Sequence, residues 1–191
     1  TFDAVENLSK NYKIYGIKRK GKLGIGSAYV KGFQEMLKKN VDVVMGMDAD
    51  LSHDPKFIPD FIKAIKEGHD VIIGSRKISG GKTIGWNSYR HLVSNYANRL
   101  ARLVSRINAK DLTSGYRAYR REVLETIGIQ NIQSNGYAFM IEILYRSNKK
   151  GFKIKEVPIV FFDRKFGRSK LSKLEIIRFM HLLAKIFFRR I

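Results

Sequence analysis

Apolar residues follow two alternating patterns along this chain. Short, nearly continuous apolar runs occupy residues 41–47 and 70–74, as in strands that are buried on both faces. Residues 13–18 alternate like a short strand. Helical spacing of apolar residues is found in segments 2–12, 28–37 and 55–67. This order predicts an α/β fold with a largely parallel sheet and flanking helices.

Two further segments are amphipathic and basic. The first is a predicted helix over about residues 86–107. Its apolar stripe consists of Trp86, Tyr89, Leu92, Val93, Tyr96, Ala97, Leu100, Leu103, Val104 and Ile107. Its other side carries Arg90, His91, Asn98, Arg99, Arg102 and Arg106. Such a helix either packs its stripe into the core or lies in a membrane interface, and the sequence leaves both open.

The second amphipathic segment, residues 174–191, repeats this pattern at the end of the chain. Two such helices on one small domain favour attachment to a membrane surface, since apolar burial and attraction to anionic lipid add. No run in the sequence reaches the roughly 20 apolar residues that a spanning helix needs. The pattern therefore predicts one main domain over residues 1–170, followed by an amphipathic helix over residues 171–191.

The charge of the chain points to an anionic partner. It has 37 Lys and Arg against 17 Asp and Glu, which gives a formal net charge of +20 at pH 7. Residues 71–110 contain no acidic residue at all. Nucleic acid, anionic lipid and phosphorylated substrates all fit such an excess. The absence of cysteine excludes a disulfide framework and a thiol nucleophile.

The clearest candidate chemistry is the triplet Asp48-Ala49-Asp50, which directly follows an apolar run. Ligands of open α/β sheets gather at the carboxyl ends of strands, so these carboxylates stand where a site is expected. Two hard oxygen ligands suit Mg²⁺ or Mn²⁺ bridged to a diphosphate. Arg76 follows the next apolar run and would lie at the same edge, either binding phosphate or forming a salt bridge to Asp48 or Asp50.

Several ordered motifs together resemble those of polyprenyl-phosphate (dolichol-phosphate) mannosyltransferases, which are family-two glycosyltransferases of the GT-A fold. The resemblance covers about residues 1–171. Its motifs are Asp48-Ala49-Asp50-Leu51-Ser52-His53-Asp54-Pro55, Gly74-Ser75-Arg76, Trp86 with Arg90, Thr113-Ser114-Gly115-Tyr116-Arg117-Ala118-Tyr119, and Phe162-Asp163-Arg164 through Arg168-Ser169-Lys170-Leu171. Five motifs in order are far more specific than any one of them.

The resemblance implies a role for each candidate site residue. Asp48 and Asp50 would bind the donor diphosphate and the metal, with Asp50 and Arg76 as the catalytic residues. The acceptor phosphate would be held by Arg76, Arg90, Ser94 and Arg168, while Arg164 and Lys170 would contact the donor phosphates. Arg90 and Ser94 are four residues apart, so a helix would place them on one face, one turn apart.

The implied reaction transfers a hexose, most simply mannose from GDP-mannose, to a polyprenyl phosphate at the cytoplasmic face of a membrane. It would be metal-dependent and inverting, with a β-linked product from an α-linked donor. An acceptor phosphate with a second pKa near 6 is largely dianionic at neutral pH, so no strong general base is needed. Cationic side chains and the metal would offset the repulsion between two phosphate-bearing substrates.

Two features depart from the family pattern. Ser52 would be a third metal ligand beside Asp48 and Asp50. It stands at a position where the family often has Gln, so we expect the metal affinity to differ from that of the family. The N-terminal strands and acidic segment that hold the nucleotide in the family precede Thr1 in that pattern, so we expect additional N-terminal residues in the physical protein.

Two alternatives stay open at this point. A polyprenyl-phosphate glucosyltransferase that uses UDP-glucose would share these motifs. A basic nucleic-acid-binding module would explain the charge, but its aromatic residues should line a basic groove, whereas here most of them fall on apolar helix faces. We therefore expect no nucleic-acid partner.

Overall fold

The computed structural model describes residues 2–21, 23–163 and 173–188, except the side chains of Phe2 and Lys173. Its helices are α1 (Phe2–Ser9), α2 (Ile25–Leu37), α3 (Ile58–Lys66), α4 (Ser88–Ser105), α5 (Arg121–Thr126), α6 (Gly136–Lys149) and α7 (Lys173–Phe187). Its strands are β1 (Val43–Gly46), β2 (Val71–Ser75), β3 (Lys82–Ile84), β4 (Arg117–Arg120), β5 (Ile154–Pro158) and β6 (Val160–Phe162). Short 3-10 turns at Pro55–Phe57 and Ile129–Asn131 precede α3 and α6.

The main sheet has four strands in the order β1-β4-β2-β5. Strand β4 pairs antiparallel with both β1 and β2, whereas β2 and β5 pair in parallel. The α/β class is thus confirmed, but the expected largely parallel pairing needs correction to a mixed sheet. Three strands run in one direction and β4 runs between two of them in the other. A smaller parallel sheet joins β3 to β6.

Strand β4 is not predicted by the apolar pattern of the sequence, because it contains a buried arginine. The guanidinium of Arg117 is enclosed in the protein and donates to the backbone carbonyls of Met140 (2.5 Å) and Leu112 (2.6 Å). These bonds pair two of the three guanidinium nitrogens and so reduce the cost of burying the charge, while Nε has no partner in the described structure. Hydrophobic periodicity cannot predict such a residue inside a strand, because its burial depends on acceptors outside the strand, one of them on α6.

Helices cover both faces of the main sheet. Val71 and Ile73 of β2 point to one face and join a core with α2, α4, α5, α6 and α7. Ile72 points to the opposite face and packs with Phe61 and Ile65 of α3. This alternation is the period of a strand that is buried on both sides. The carboxyl ends of β1 and β2 open at one edge of this framework, where the candidate site residues begin.

Of the two elements predicted for the N-terminal segment, the structure contains the helix but not the strand. The helix predicted over 2–12 ends at Ser9, and the strand predicted over 13–18 is wrong. Tyr15 and Ile17 of that segment are exposed, and its backbone joins no described strand. Alternation alone does not make a strand, since the backbone also needs a paired neighbour.

The core on the α3 side should tolerate no added atom at Gly74. A Cβ there would lie 2.9 Å from Cζ of the buried Phe61 and 3.1 Å from the side chain of Ile159. We expect Gly74→Ala to lower the free energy of unfolding by about 1–3 kcal/mol, as measured by urea denaturation. Gly32→Ala is the matched control, because a Cβ at Gly32 meets nothing within 4 Å and helix propensity favours alanine. Equal effects of the two substitutions would contradict this account of the packing.

Candidate functional site

Asp48 lies in the turn that follows β1. Its backbone N–H donates to Nδ1 of His53 over 3.0 Å, which makes that ring nitrogen an acceptor. Nδ1 also lies 3.9 Å from the Asp48 carboxylate, but the two groups do not form an ion pair because Nδ1 carries no proton. Burial lowers the pKa of His53, in agreement with a neutral imidazole. The half-exposed carboxylate of Asp48 is left beside an uncharged ring.

Asp50 is oriented by its neighbour Ser52. Its Oδ1 accepts the backbone N–H of Ser52 at 3.1 Å and also a short hydrogen bond from the Ser52 hydroxyl. Leu51 between them has a positive φ of 66°, so the turn closes tightly. Ser52 itself is only 1% exposed. Ser52 thus positions Asp50, while its expected role as a third metal ligand stays a prediction.

The described residues contain no group of three or more His, Cys, Asp or Glu side chains arranged to hold a metal ion. Metal binding by Asp48 and Asp50, the two carboxylates predicted from the sequence to bind a metal, stays a prediction. This donor set fits Mg²⁺ or Mn²⁺ when substrate phosphates and water complete the shell, which is how Mg²⁺ is usually bound at phosphate-transfer sites.

Arg76 follows β2 and forms a buried ion pair with Asp111. Its Nε and Nη2 donate to the two carboxylate oxygens, each at 2.7 Å, and its backbone N–H donates to Oδ2 at 3.1 Å. Nη2 also donates to the Thr113 hydroxyl over 3.1 Å. The alternative of a salt bridge to Asp48 or Asp50 is thus wrong, because Asp111 is the partner. These contacts leave Nη1 of Arg76 without a partner among the described residues.

Asp111 and Asn98 also build the site, although the sequence did not predict them as site residues. Asn98 was assigned to the polar side of α4, yet it is buried. Its amide accepts the backbone N–H of Leu112 (2.7 Å) and donates to Thr113 (3.1 Å). It thereby ties α4 to the turn that holds Arg76. One signal was present: Asp111 is the first acidic residue after the acid-free segment 71–110.

Arg90 lies at the start of α4 and pairs with Asp163 through a short hydrogen bond from Nη1. Both side chains are about one quarter exposed. Gly85 allows this approach, since a Cβ there would lie 2.9 Å from Cβ of Asp163. Both arginines lie close to the Trp86 ring, whose centroid is 4.7 Å from Arg90 Cζ and 5.2 Å from Arg76 Cζ.

Arg76, Arg90 and Ser94 line one cavity of about 480 Å³, together with Trp86 and Thr113. Most of the remaining wall is apolar and comes from α4 and α7: Leu92, Val93, Tyr96, Ala97, Leu100, Ile176, Phe179 and Met180. Tyr89, Tyr137 and one acidic residue, Glu175, complete it, and Glu175 is paired with Arg178 at 2.8 Å. Ser94 Oγ is buried and has no hydrogen-bond partner in the described structure. The cavity thus combines a cationic, hydrogen-bonding part with a long apolar wall.

Asp48 and Asp50 do not line this cavity. They connect to it through aromatic contacts, because the His53 ring packs on Phe161 at 5.5 Å and Phe161 lies 5.3 Å from Arg76 Cζ. Burial lowers the pKa of Arg76, but Asp111 outweighs burial, and Asp48 adds a smaller upward contribution. Asp48 and Arg76 therefore interact electrostatically although they do not line the same cavity. Arg164, Arg168 and Lys170 lie outside the described residues.

Comparison with known proteins now identifies relatives. Residues 1–128 match the sequence profile of glycosyl transferase family 2. The chain is similar to undecaprenyl-phosphate mannosyltransferase of Micrococcus luteus, with 38% identity over 159 residues, 83% of this chain and 65% of that protein. It is also similar to polyprenol monophosphomannose synthase of Mycolicibacterium smegmatis, with 39% identity over 173 residues, 91% of this chain and 65% of that protein. The chain thus spans about 65% of the length of both relatives.

Solved structures resemble the chain at the level of fold. Glucosyl-3-phosphoglycerate synthase of Mycobacterium tuberculosis, in complex with Mn²⁺ and UDP-glucose, aligns with a TM-score of 0.57 and 20% identity over 91% of this chain and 56% of that one. The same enzyme with Mn²⁺, UDP and glucosyl-3-phosphoglycerate gives 0.59 and 19% over 92% and 56%. At this identity the likeness shows the fold alone, and it confirms the predicted GT-A fold.

The Arg76–Asp111 pair should make stability depend on acid pH. Burial would raise the pKa of Asp111, but Arg76 outweighs it and lowers the pKa from 3.8 to about 2. A lowered folded-state pKa stabilises the fold above the unfolded value, and this contribution of about 2 kcal/mol is lost as pH falls from about 4 through 2.

We expect Asp111→Asn to destabilise the fold by about 3–5 kcal/mol at pH 7, since Arg76 is left buried without its charge partner. Its unfolding free energy should also decline less steeply between pH 4 and pH 2 than that of the wild type. Urea denaturation at a series of pH values measures both effects. Parallel pH curves for the two proteins would show that Asp111 is not the responsible carboxyl.

Proposed function

Because the chain belongs to glycosyl transferase family 2, we propose that it transfers a hexose from a nucleotide diphosphate sugar to the phosphate of a polyprenyl phosphate. The names of the two bacterial relatives support this acceptor and favour mannose as the sugar. We further propose GDP-mannose as the donor. A glucosyltransferase using UDP-glucose is the alternative that the same assay can identify.

The observation that carries the proposal is the amphipathic cavity between α4 and α7. A polyprenyl phosphate is an apolar chain that ends in an anion, and the cavity offers an apolar wall beside Arg76, Arg90 and Ser94. Guanidinium groups bind phosphate through paired donors, and Arg76 keeps Nη1 for such a bond. The unpaired hydroxyl of Ser94 adds a further donor.

Asp48 and Asp50 are proposed to hold Mg²⁺ or Mn²⁺ against the donor diphosphate. The ion would neutralise charge that develops on the leaving nucleotide diphosphate. Ser52 keeps the Asp50 carboxylate in place through two hydrogen bonds, so one orientation of that ligand is prepared before substrate arrives. Arg164, Arg168 and Lys170 remain proposed phosphate contacts.

The proposed reaction is a single displacement that inverts the anomeric carbon. The acceptor phosphate is already an effective nucleophile at neutral pH, so Arg76 and Arg90 serve to bring two anions together rather than to move a proton. Burial makes this contribution larger, because charges interact more strongly where water is excluded. Asp50 and Arg76 are the residues most directly tied to this step.

A membrane surface is the proposed location, on its cytoplasmic side. In α4, Leu92 (67%), Tyr96 (70%) and Leu103 (76%) are exposed, and Ile177 and Phe187 of α7 are exposed as well. Helices with large exposed apolar residues beside basic ones are typical of interfacial binding. Within the described residues, no helix has the length and apolar content needed to cross a bilayer.

The proposed reaction is tested by transfer of radiolabelled mannose from GDP-mannose to a short polyprenyl phosphate, with and without Mn²⁺. We expect metal-dependent transfer and a loss of at least about 100-fold in Asp50→Asn, since the amide cannot supply the charge that a divalent ion needs. This variant keeps an oxygen that can accept the Ser52 bonds. Asp60→Asn on α3 is the matched control and should be active. Equal activity of Asp50→Asn and wild type would refute the metal site, while transfer only from UDP-glucose would change the donor.

Arg90 should matter for the acceptor and not for the donor. We expect Arg90→Ala to raise KM for polyprenyl phosphate by roughly 10-fold or more, the effect of losing a hydrogen bond to a charged group, with little change in KM for the nucleotide sugar. Arg99→Ala removes a guanidinium from the same helix outside the cavity and should leave both KM values unchanged. If Arg90→Ala raised both KM values equally, Arg90 would be a structural residue.

A further inference from the structure

We propose that Trp86 binds the acceptor phosphate through its indole N–H and also fixes the spacing of the two arginines beside it. This inference rests on the proposed polyprenyl phosphate acceptor. It adds to that proposal a residue that recognises the phosphate as an anion and positions the groups around it.

The first observation is that two arginine side chains lie close to the Trp86 ring. Arg76 Cζ lies 5.2 Å and Arg90 Cζ lies 4.7 Å from the ring centroid, both within the range of cation–π attraction. Each arginine also has a carboxylate partner, Asp111 for Arg76 and Asp163 for Arg90. Two like charges are therefore kept close to one aromatic ring, each balanced by a carboxylate of its own.

The second observation is the state of the indole nitrogen. Trp86 Nε1 is buried and has no hydrogen-bond partner in the described structure, although buried indole N–H groups usually find an acceptor. Trp86 lines the same cavity as Ser94, whose hydroxyl is also buried and unpartnered. Of the three unpartnered buried side-chain atoms in the described structure, two belong to residues that line this cavity, and we infer that a polar ligand completes these two.

The chemistry of the indole limits what that ligand can be. An indole N–H is only a donor, so its partner must offer an acceptor atom. An isoprenoid tail has no acceptor, and a cation would be repelled by Arg76 and Arg90. A phosphate group offers several acceptor oxygens for the N–H and for guanidinium donors, and the one carboxylate in the cavity wall, Glu175, is already paired with Arg178. The ring itself is braced from the side by Phe161 and His91, at centroid distances of 5.8 Å and 5.6 Å.

Two substitutions separate the donor from the ring. Trp86→Phe keeps an aromatic ring beside the arginines but removes the N–H, and should raise KM for polyprenyl phosphate by roughly 10-fold with little change in kcat or in KM for the sugar donor. Trp86→Leu removes the ring as well, so the arginines lose their common contact, and it should lower kcat in addition. An unchanged acceptor KM in an active Trp86→Phe enzyme would overturn the proposed hydrogen bond.

A binding measurement on the unaltered chain needs no variant to fold. Trp86 is the single tryptophan of the 191 residues, so its fluorescence reports on this position alone. Adding a short polyprenyl phosphate should change the emission, whereas the parent polyprenol in the same detergent should not. The same response to both compounds would show that the tail, and not the phosphate, reaches Trp86, and the inference would fail.

The outcomes also separate this inference from the proposed function. If the wild type binds and uses no polyprenyl phosphate, the proposed function fails and takes the inference with it. If the wild type transfers sugar while Trp86→Phe has a normal acceptor KM, only the role of Trp86 is refuted.

Discussion

The buried ion pair between Arg76 and Asp111 is the contact on which the rest of the site depends. A buried pair of this kind adds little net stability over a well-packed apolar pair, but removal of one partner is costly. Its effect is on orientation: Asp111 occupies Nε and Nη2, so the guanidinium can turn only its remaining edge toward a ligand. Asn98 and Thr113 fix Asp111 and its turn against α4. The cation is thus placed before any substrate arrives.

Aromatic contacts connect the Arg76–Asp111 pair to the turn that carries Asp48. Trp86 and Phe161 both lie against Arg76, and Phe161 in turn contacts His53, whose ring nitrogen accepts the backbone N–H of Asp48. The carboxylates therefore do not need to share a cavity wall with the arginines to be positioned relative to them. A neutral His53 suits this position, since a protonated ring would add a further positive charge beside Arg76.

Local apolar patterns in the sequence predicted the two strands whose burial depends mainly on their own residues. The apolar runs form β1 and β2. The site residues Asp48, Asp50, Arg76, Arg90 and Ser94 were predicted mainly from the resemblance to a family, and their roles stay predictions. The pattern could not predict β4, because Arg117 is buried by carbonyls from other elements. It could not predict Asp111 as the partner of Arg76 for a similar reason, since 35 residues separate them and only the folded sheet brings them together. Long-range pairing of charges is set by topology, and topology is weakly encoded in periodicity.

In helix α4, burial of a polar residue that holds the site conflicts with burial of the apolar residues of the same helix. Its buried positions are Asn98, Ala101 and Ser105, while Leu92, Tyr96 and Leu103 face outward. An ordinary core helix would have the reverse arrangement. Turning the polar Asn98 inward holds the Asp111 turn, and it necessarily exposes apolar residues on the other side. That exposure costs free energy in water and is offset where lipid covers the residues. The orientation that builds the proposed phosphate site therefore also creates the surface proposed to meet the membrane.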